Sequence, residues 1–341
     1  MAITTGAGPH AAWIDVNGDT FPVEHGSVSQ SAKRKTSSFN VTVPMSYKGA
    51  AAALESLGDN EAQITVMTRG QTAVLITGEV DNAEYDFIGR VIRLSGRDKS
   101  AKLHDSKANE KWQNKKPSEI VQDLISRVGL SGNIASSALM AGKQLEQDFV
   151  HLADNVSFAY LIHKLAQKDG ARWWVDAQGK FNYQPLGAPQ GNYSIMINQD
   201  TQPISSDCVF LRVARNIQAG KTISATVKAW HPKKKQVFSY TSNVEGNGGP
   251  VVYNYHMPTL LQDHVEKHAK SQAAEKARHE LTVNATVVGD PSVSAGMGLS
   301  LSGTGYFDQV FDIDTVHHEF GMSGHRTSIT ARSAKQGRSA S

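Results

Sequence analysis

Apolar positions recur at every second residue through much of the first section of the chain, 1–95, the spacing of strands with one buried face. Phe39, Val41 and Val43 alternate with Asn40 and Thr42 until Pro44 stops the run. Residues 12–16 are strand-like and end at Asn17-Gly18-Asp19, a tight-turn sequence. Residues 64–68 and 73–80 bracket a turn at Arg69-Gly70, and 87–94 forms a further strand. The Ala-rich stretch 48–57, closed by Gly58, predicts one short helix. Several short strands separated by turns predict a small barrel or sandwich.

The period then lengthens. In the middle section, 96–186, Ile120, Val121, Leu124, Ile125 and Val128 follow Pro117 at helical spacing, with Gly129 as the stop. Phe158, Leu161, Ile162 and Leu165 mark a second helix over 156–168, capped by Asp154 or Asn155 and ended by Gly170. A hairpin is expected from 172–176 and 180–183 around Gln178-Gly179. Trp112 and Leu103 are expected to pack against the first of these helices.

The last section, 187–332, returns to alternation. Residues 209–213 and 222–230 are expected to pair, and 242–250, with Gly246, Gly248 and Gly249, reads as a flexible loop. A long helix is expected over 259–281, with Leu261, Val265, Ala269, Ala273 and Ala277 on one side, small enough for another backbone to approach. Strands are expected over 281–288, 299–302, 309–316 and 327–331, and 333–341 reads as a frayed polar tail. The fold class is therefore mainly β with α+β character: two β-rich ends around an α/β middle.

Composition narrows the function. A chain of 341 residues holds two or three domains at about 100–200 residues each. With 39% hydrophobic and 20% charged residues it is too apolar for wholesale disorder. A net charge of +3 is too small for a dedicated nucleic-acid binder. The two basic runs, Lys33-Arg34-Lys35 and Lys233-Lys234-Lys235, sit between strands and read as solvated turns. Cys208 is the single cysteine, which excludes an intrachain disulfide, and its apolar neighbours suggest a buried, inert thiol. The start of the chain has no secretory pattern, and no apolar run is long enough for a membrane helix.

Catalytic signatures are missing. There is no phosphate-binding G-x-x-x-x-G-K-[ST] loop and no G-x-S-x-G elbow. His264 and His268 share a helix face at a spacing that can hold zinc, but Glu266 is displaced from the H-E-x-x-H position. Lys267, Lys270, Lys276 and Arg278 make that face read as solvated. His317 and His318 are adjacent on a strand and point to opposite sides, so one of them is expected to pack, and His325 lies nearby. Asp312 and Asp314 alternate as in a half-exposed sheet. No catalytic, cofactor-binding or metal-binding residue is assigned.

The middle section carries a resemblance. Leu94-Ser95-Gly96-Arg97-Asp98, Leu103-His104-Asp105, Trp112 and Pro117-Ser118-Glu119-Ile120-Val121 follow one another as in the phage late control D family, the baseplate hub proteins of contractile tails. The stretch 154–161, Leu165-Ala166, Gly170 and the hairpin around Asp176 and Gly179 are similar to the next landmarks of that family. So is the closing region with Gly289, Gly296, Gly303, Phe311-Asp312-Ile313-Asp314, His317-His318, Gly321 and Thr327.

The resemblance implies two tail-tube-like β-barrel domains, 1–95 and 187–332, around the α/β domain 96–186. It implies a non-enzymatic homotrimer whose ring adapts a six-fold tail tube to a three-fold spike and lines the DNA channel. Partners would be the tail tube protein, the spike protein, the tape-measure protein and other baseplate proteins. DNA would pass without sequence-specific binding, and no stable membrane insertion is implied. The place would be the virion tail baseplate, assembled in the bacterial host cytoplasm. Related spike proteins continue into an oligosaccharide-binding-type domain and a β-helix, so the spike is expected to be a separate polypeptide. A tailocin or other phage-derived injection particle is a second setting for such a hub. A tail-associated peptidoglycan hydrolase, using carboxylates or histidine-bound zinc, is the alternative from another class.

Overall fold

The computed structural model describes residues 10–333 except Arg34, Lys48, Ser56 and Glu146. The tail 334–341, the middle of the first basic run and Lys48 of the expected helix therefore lie outside the described residues.

The alternating first section becomes β1 (His10–Val16), β2 (Asp19–Pro22), β3 (His25–Ser31), β4 (Ser38–Pro44), β5 (Ala62–Thr68), β6 (Gln71–Asp86) and β7 (Val91–Asp98), with the helix α1 (Ala50–Glu55). The middle section supplies α2 (Ala101–Asp105), β8 (Lys107–Ala108), β9 (Lys111–Gln113), α3 (Pro117–Arg127), β10 (Gly132–Ile134), β11 (Lys143–Gln144) and β12 (Phe149–Leu152). It ends with β13 (Val156–Ser157), α4 (Phe158–Asp169), β14 (Ala171–Val175) and β15 (Phe181–Pro185). The last section holds β16 (Asn192–Asn198), β17 (Ser205–Ser206), β18 (Phe210–Arg215), β19 (Ile223–His231), β20 (Gln236–Val244) and β21 (Val251–His256). The helix α5 (Gln262–Ala277), β22 (Leu281–Val288), β23 (Gly298–Ser302), β24 (Val310–Gly321) and β25 (Gly324–Ser333) complete it. The protein is mainly β, as expected. Ser333, expected in the tail, closes β25 and is buried.

The two β-rich ends share one sheet of 14 strands, in the order β17-β16-β23-β24-β3-β4-β7-β6-β5-β1-β2, with β25, β22 and β18 branching from β24. The link is the antiparallel pairing of β3 with β24, from Ser31 opposite Thr315 to His25 opposite Gly321. An extra residue in β24, between Ile313 and Thr315, shifts the register against β25. Such a bulge exchanges the faces of the residues beyond it. Phe311 and Ile313 are core before it; Val316, His318 and Phe320 are buried after it.

Each section has its own core. Ile14, Phe39, Ile64 and Leu94 fill the first, where Phe320 of β24 joins them. Leu103, Trp112, Val121, Leu124, Leu161 and Trp173 fill the middle, so Trp112 packs where expected, with Nε1 donating to Asp123 at 3.3 Å. The last section has one core around Phe311, Ile313 and Val283 and further clusters between the β20-β19-β21 sheet and α5. There Ala225, Val227 and Ala229 meet Ala269, Ala273 and Val265, so the small residues of the helix do admit a close neighbour.

Three local expectations are corrected. The cap of α4 is Ser157, whose Oγ accepts from the Tyr160 N–H at 3.2 Å, because Asn155 is held in a turn at φ 47°. The strand β18 pairs with β22, whereas β19 pairs with β20 and β21 in a separate sheet. Both strands alternate, and alternation does not specify a partner. The long helix is shorter at both ends, since Thr259 has φ 64° and Leu281 already belongs to β22.

Candidate assembly surface and the junctions beneath it

Residues directly opposite one another in a ladder point to the same side of a sheet. Tracing partners through β22-β25-β24-β3-β4-β7-β6 therefore defines one face that crosses from the last section to the first, and at its outer end Thr286 is opposite Phe210 of β18. One row runs Thr286, Ser328, His317, Ser29, Ser38, Arg97. The next runs Arg326, Glu319, Ser27, Asn40, Ser95, Asn82. Where the sections meet, Ser29 Oγ and His317 Nδ1 are 2.8 Å apart. Small neutral polar groups dominate. Several of the charges are paired: Arg97 with Asp81 at 2.7 Å, and Arg93 with Glu84 at 3.1 Å. The face offers a wide polar surface, on which Ser29 and His317 form an exposed hydroxyl–imidazole contact.

Two polar junctions fix this sheet to its neighbours. At one end of the β24–β25 hairpin, Asp312 and Asp314 are buried, although their alternation suggested half-exposure. The bulge and the covering α5 and β14 explain the difference. Arg278 Nη2 lies 3.4 Å from Asp312 and 3.3 Å from Asp314, Arg172 lies 3.8 Å from Asp312, and Lys33 lies 2.7 Å from Asp314. Arg332 adds a contact to Asp314 at 3.3 Å. Burial pulls Arg172 below the usual guanidinium range, and Asp312 opposes it. Lys33 is thus an ion-pair partner, not a solvated turn residue, while Lys233, Lys234 and Lys235 are exposed as expected.

At the other end of the hairpin, His318 and His325 are buried, and their rings are joined by a 3.2 Å contact from Nδ1 to Nε2. His318 Nε2 faces the Val293 carbonyl at 3.0 Å, so it carries the hydrogen. Its Nδ1 then accepts, His325 Nε2 donates, and His325 Nδ1 accepts from the Thr68 hydroxyl at 2.8 Å. The chain runs from β5 of the first section into β25 and β24 of the last. Burial lowers His318 to about 3 and His325 to about 4. Gly289 is required here, because a Cβ would stand 2.1 Å from the His325 ring.

His264 and His268 do not converge on a metal. His264 Nε2 bonds to the Met140 carbonyl at 3.0 Å, and His268 is buried edge-on to Tyr255. Burial lowers both, His268 to about 4. The helix face is not generally solvated: Lys267 pairs with Asp169 of α4, and Arg278 is buried. Among the described residues no group of three or more His, Cys, Asp or Glu side chains is placed to hold a metal ion. Cys208 is only partly buried, 3.0 Å from Ser206 Oγ. Among the described residues no helix is long and apolar enough to cross a membrane. The sequence reading missed Arg172 and the partners of Lys33; the mixed charges at 312, 314 and 332 were the available signal.

No protein-family model and no curated protein matches the sequence. Solved structures do match the fold. A tail protein from Neisseria meningitidis MC58 is 13% identical, with a TM-score of 0.71 over 95% of this chain and 96% of that one. The 43 kDa tail protein of prophage MuSo2 from Shewanella oneidensis is 13% identical, with a TM-score of 0.69 over 96% of this chain and 100% of that one. An E. coli component of the type VI secretion system, described as similar to T4 bacteriophage tail proteins gp27 and gp5, is 10% identical. Its TM-score is 0.58 over 96% of this chain and 79% of that one. The fold is therefore that of phage tail and type VI secretion proteins.

Proposed function

We propose that this chain is a non-enzymatic baseplate hub subunit of a contractile tail, forming a three-fold ring between tail tube and spike. The carrying observation is the polar face that runs without a break through both β-rich ends. Three such faces, closed around an axis, would give a smooth channel wall for DNA. Paired charges and small hydroxyls suit passage, since binding to phosphates draws on unpaired lysines and arginines. The 1–95, 96–186 and 187–332 divisions are the domains of this reading. The tube, spike, tape-measure and other baseplate proteins are its partners, and the virion tail is its place.

Ring closure has a candidate edge. Among the described residues β18 pairs only with β22 and leaves its other side open. Val209 and Phe210 are 62% and 48% exposed there, unusual for an edge strand that must stay monomeric. A heterologous contact of obligate type would bury roughly 2,000–5,000 Å² per subunit pair. Light scattering of the protein, alone and with its tube and spike partners, is expected to show a trimer. Phe210→Glu is expected to weaken it without changing monomer unfolding. A mass that stays monomeric with both partners present defeats the reading.

A further inference from the structure

A cleft opens onto the ionic junction between α4, α5, β14 and the turn after β3. Its walls carry Lys33, Arg172, Lys276, Arg278 and Arg332 against Glu275 and Asp314. Asp312 lies beneath, in contact with both Arg172 and Arg278. Five cationic side chains thus face three carboxylates, a surplus of two positive charges. The buried members balance, Arg172 and Arg278 against Asp312 and Asp314. The surplus therefore lies on the partly exposed Lys33, Lys276 and Arg332 of the cleft wall, where an anion from solvent can reach it.

Arg172 shows where that charge would sit. Its side chain is 6% exposed, its guanidinium lies 5.0 Å from the Trp174 ring, and Nη2 donates to the Gly296 carbonyl at 3.0 Å. Its Nε and Nη1, and Nε of Arg278, are buried and meet no hydrogen-bond acceptor among the described residues. Guanidinium groups present forks of donors that fit the oxygens of phosphate and carboxylate. The size of the surplus favours phosphate or sulfate: a carboxylate brings one negative charge, whereas a phosphate group brings about 1.5 to 2 at neutral pH and sulfate brings two.

We propose that this cleft binds a dianionic tetrahedral oxyanion, of phosphate or sulfate chemistry, between Arg172, Arg278 and the cleft-wall cations. The ligand would tie the middle section to both β-rich ends, since its contacts come from β14, α5, the turn after β3, and β25. The site is independent of the tail role.

Calorimetric titration of the full chain with inorganic phosphate, at ionic strength held constant with chloride, tests it. Saturable binding in the sub-millimolar range is expected, with sulfate competing and acetate not. Arg172→Gln is expected to weaken binding at least tenfold. Because Arg172 also supports Asp312, Lys276→Gln serves as the second variant: it breaks no ion pair found among the described residues, and a loss of threefold or more is expected. Heats without saturation, equal competition by acetate, or affinity unchanged in both variants would overturn the site.

Discussion

At one end of the β24–β25 hairpin, Asp312, Asp314 and Arg332 are charged and cross-bonded to Arg172, Arg278 and Lys33; at the other, His318 and His325 are neutral and hydrogen-bonded in series. Both junctions are buried, and both join sections distant in sequence. They differ in how polar groups are made tolerable away from water. Charges need opposite charges in contact, whereas imidazoles need one donor and one acceptor each and no net charge. The ionic junction is therefore sensitive to losing a member, and the histidine junction to gaining a proton.

The largest expected effect follows from removing one acid. Asp312→Ala takes from the buried Arg172 the carboxylate it contacts and leaves Arg278 with Asp314 and Glu275, and breaking a buried pair in this way costs about 3–5 kcal/mol. Urea unfolding is expected to show the loss as a lower midpoint with an unchanged slope. A cost below 1 kcal/mol would mean that Arg172 finds another partner.

Acid should act on the opposite end. His318 and His325 have folded-state pKa values depressed from 6.5 to about 3 and about 4. The unfolded chain therefore takes up protons first, so their contribution is fully present above pH 6.5 and is lost as pH falls toward 4. The groups around them divide: Asp290 favours protonation of His325, while His10 opposes it and His317 opposes that of His318. A fall of roughly 2–4 kcal/mol across this window is expected, allowing for partial access to water. His151 and His268 are depressed in the same direction, so the wild type alone does not isolate the junction. His318→Gln, which can still donate to Val293 and accept from His325, is expected to flatten the pH profile. An unchanged profile would place the acid sensitivity elsewhere.

What was legible in the sequence divides along the same line. Helices α3 and α4 and the 171–185 hairpin were readable because periodicity and a terminating glycine act locally, whereas Trp112 was placed by the order of the landmarks around it. The histidine pair was half-readable: adjacent strand residues must face opposite ways, so His317 is exposed and His318 buried, but Thr68 and Val293 are remote partners. The ionic junction was misread. A strand with Asp312 and Asp314 on alternate positions looks half-exposed, and only the bulge and the covering of Arg172 and Arg278 make it buried. The mistaken pairing of β18 with β19 has the same origin, because long-range partners leave no local mark.

The smallest expected effect isolates burial as the variable. Arg97 on the polar face contacts Asp81 through two nitrogens, at 2.7 and 2.9 Å, a closer geometry than Arg278 makes with either aspartate. If distance governed energy, Arg97 would matter more. Its side chain, however, is 39% exposed and that of Asp81 38%, so water and salt compete for both. Exposed pairs of this kind contribute about 0–1 kcal/mol. Arg97→Ala is therefore expected to cost no more than about 1 kcal/mol, mostly gone at 0.5 M salt, where the screening length drops to roughly 4 Å. The loss in Asp312→Ala is expected to persist at the same salt, because ions do not reach a buried pair. Urea titrations of both variants at low and high salt make the comparison direct. Equal costs, or equal salt sensitivity, would show that the ionic junction is wetter than its burial implies.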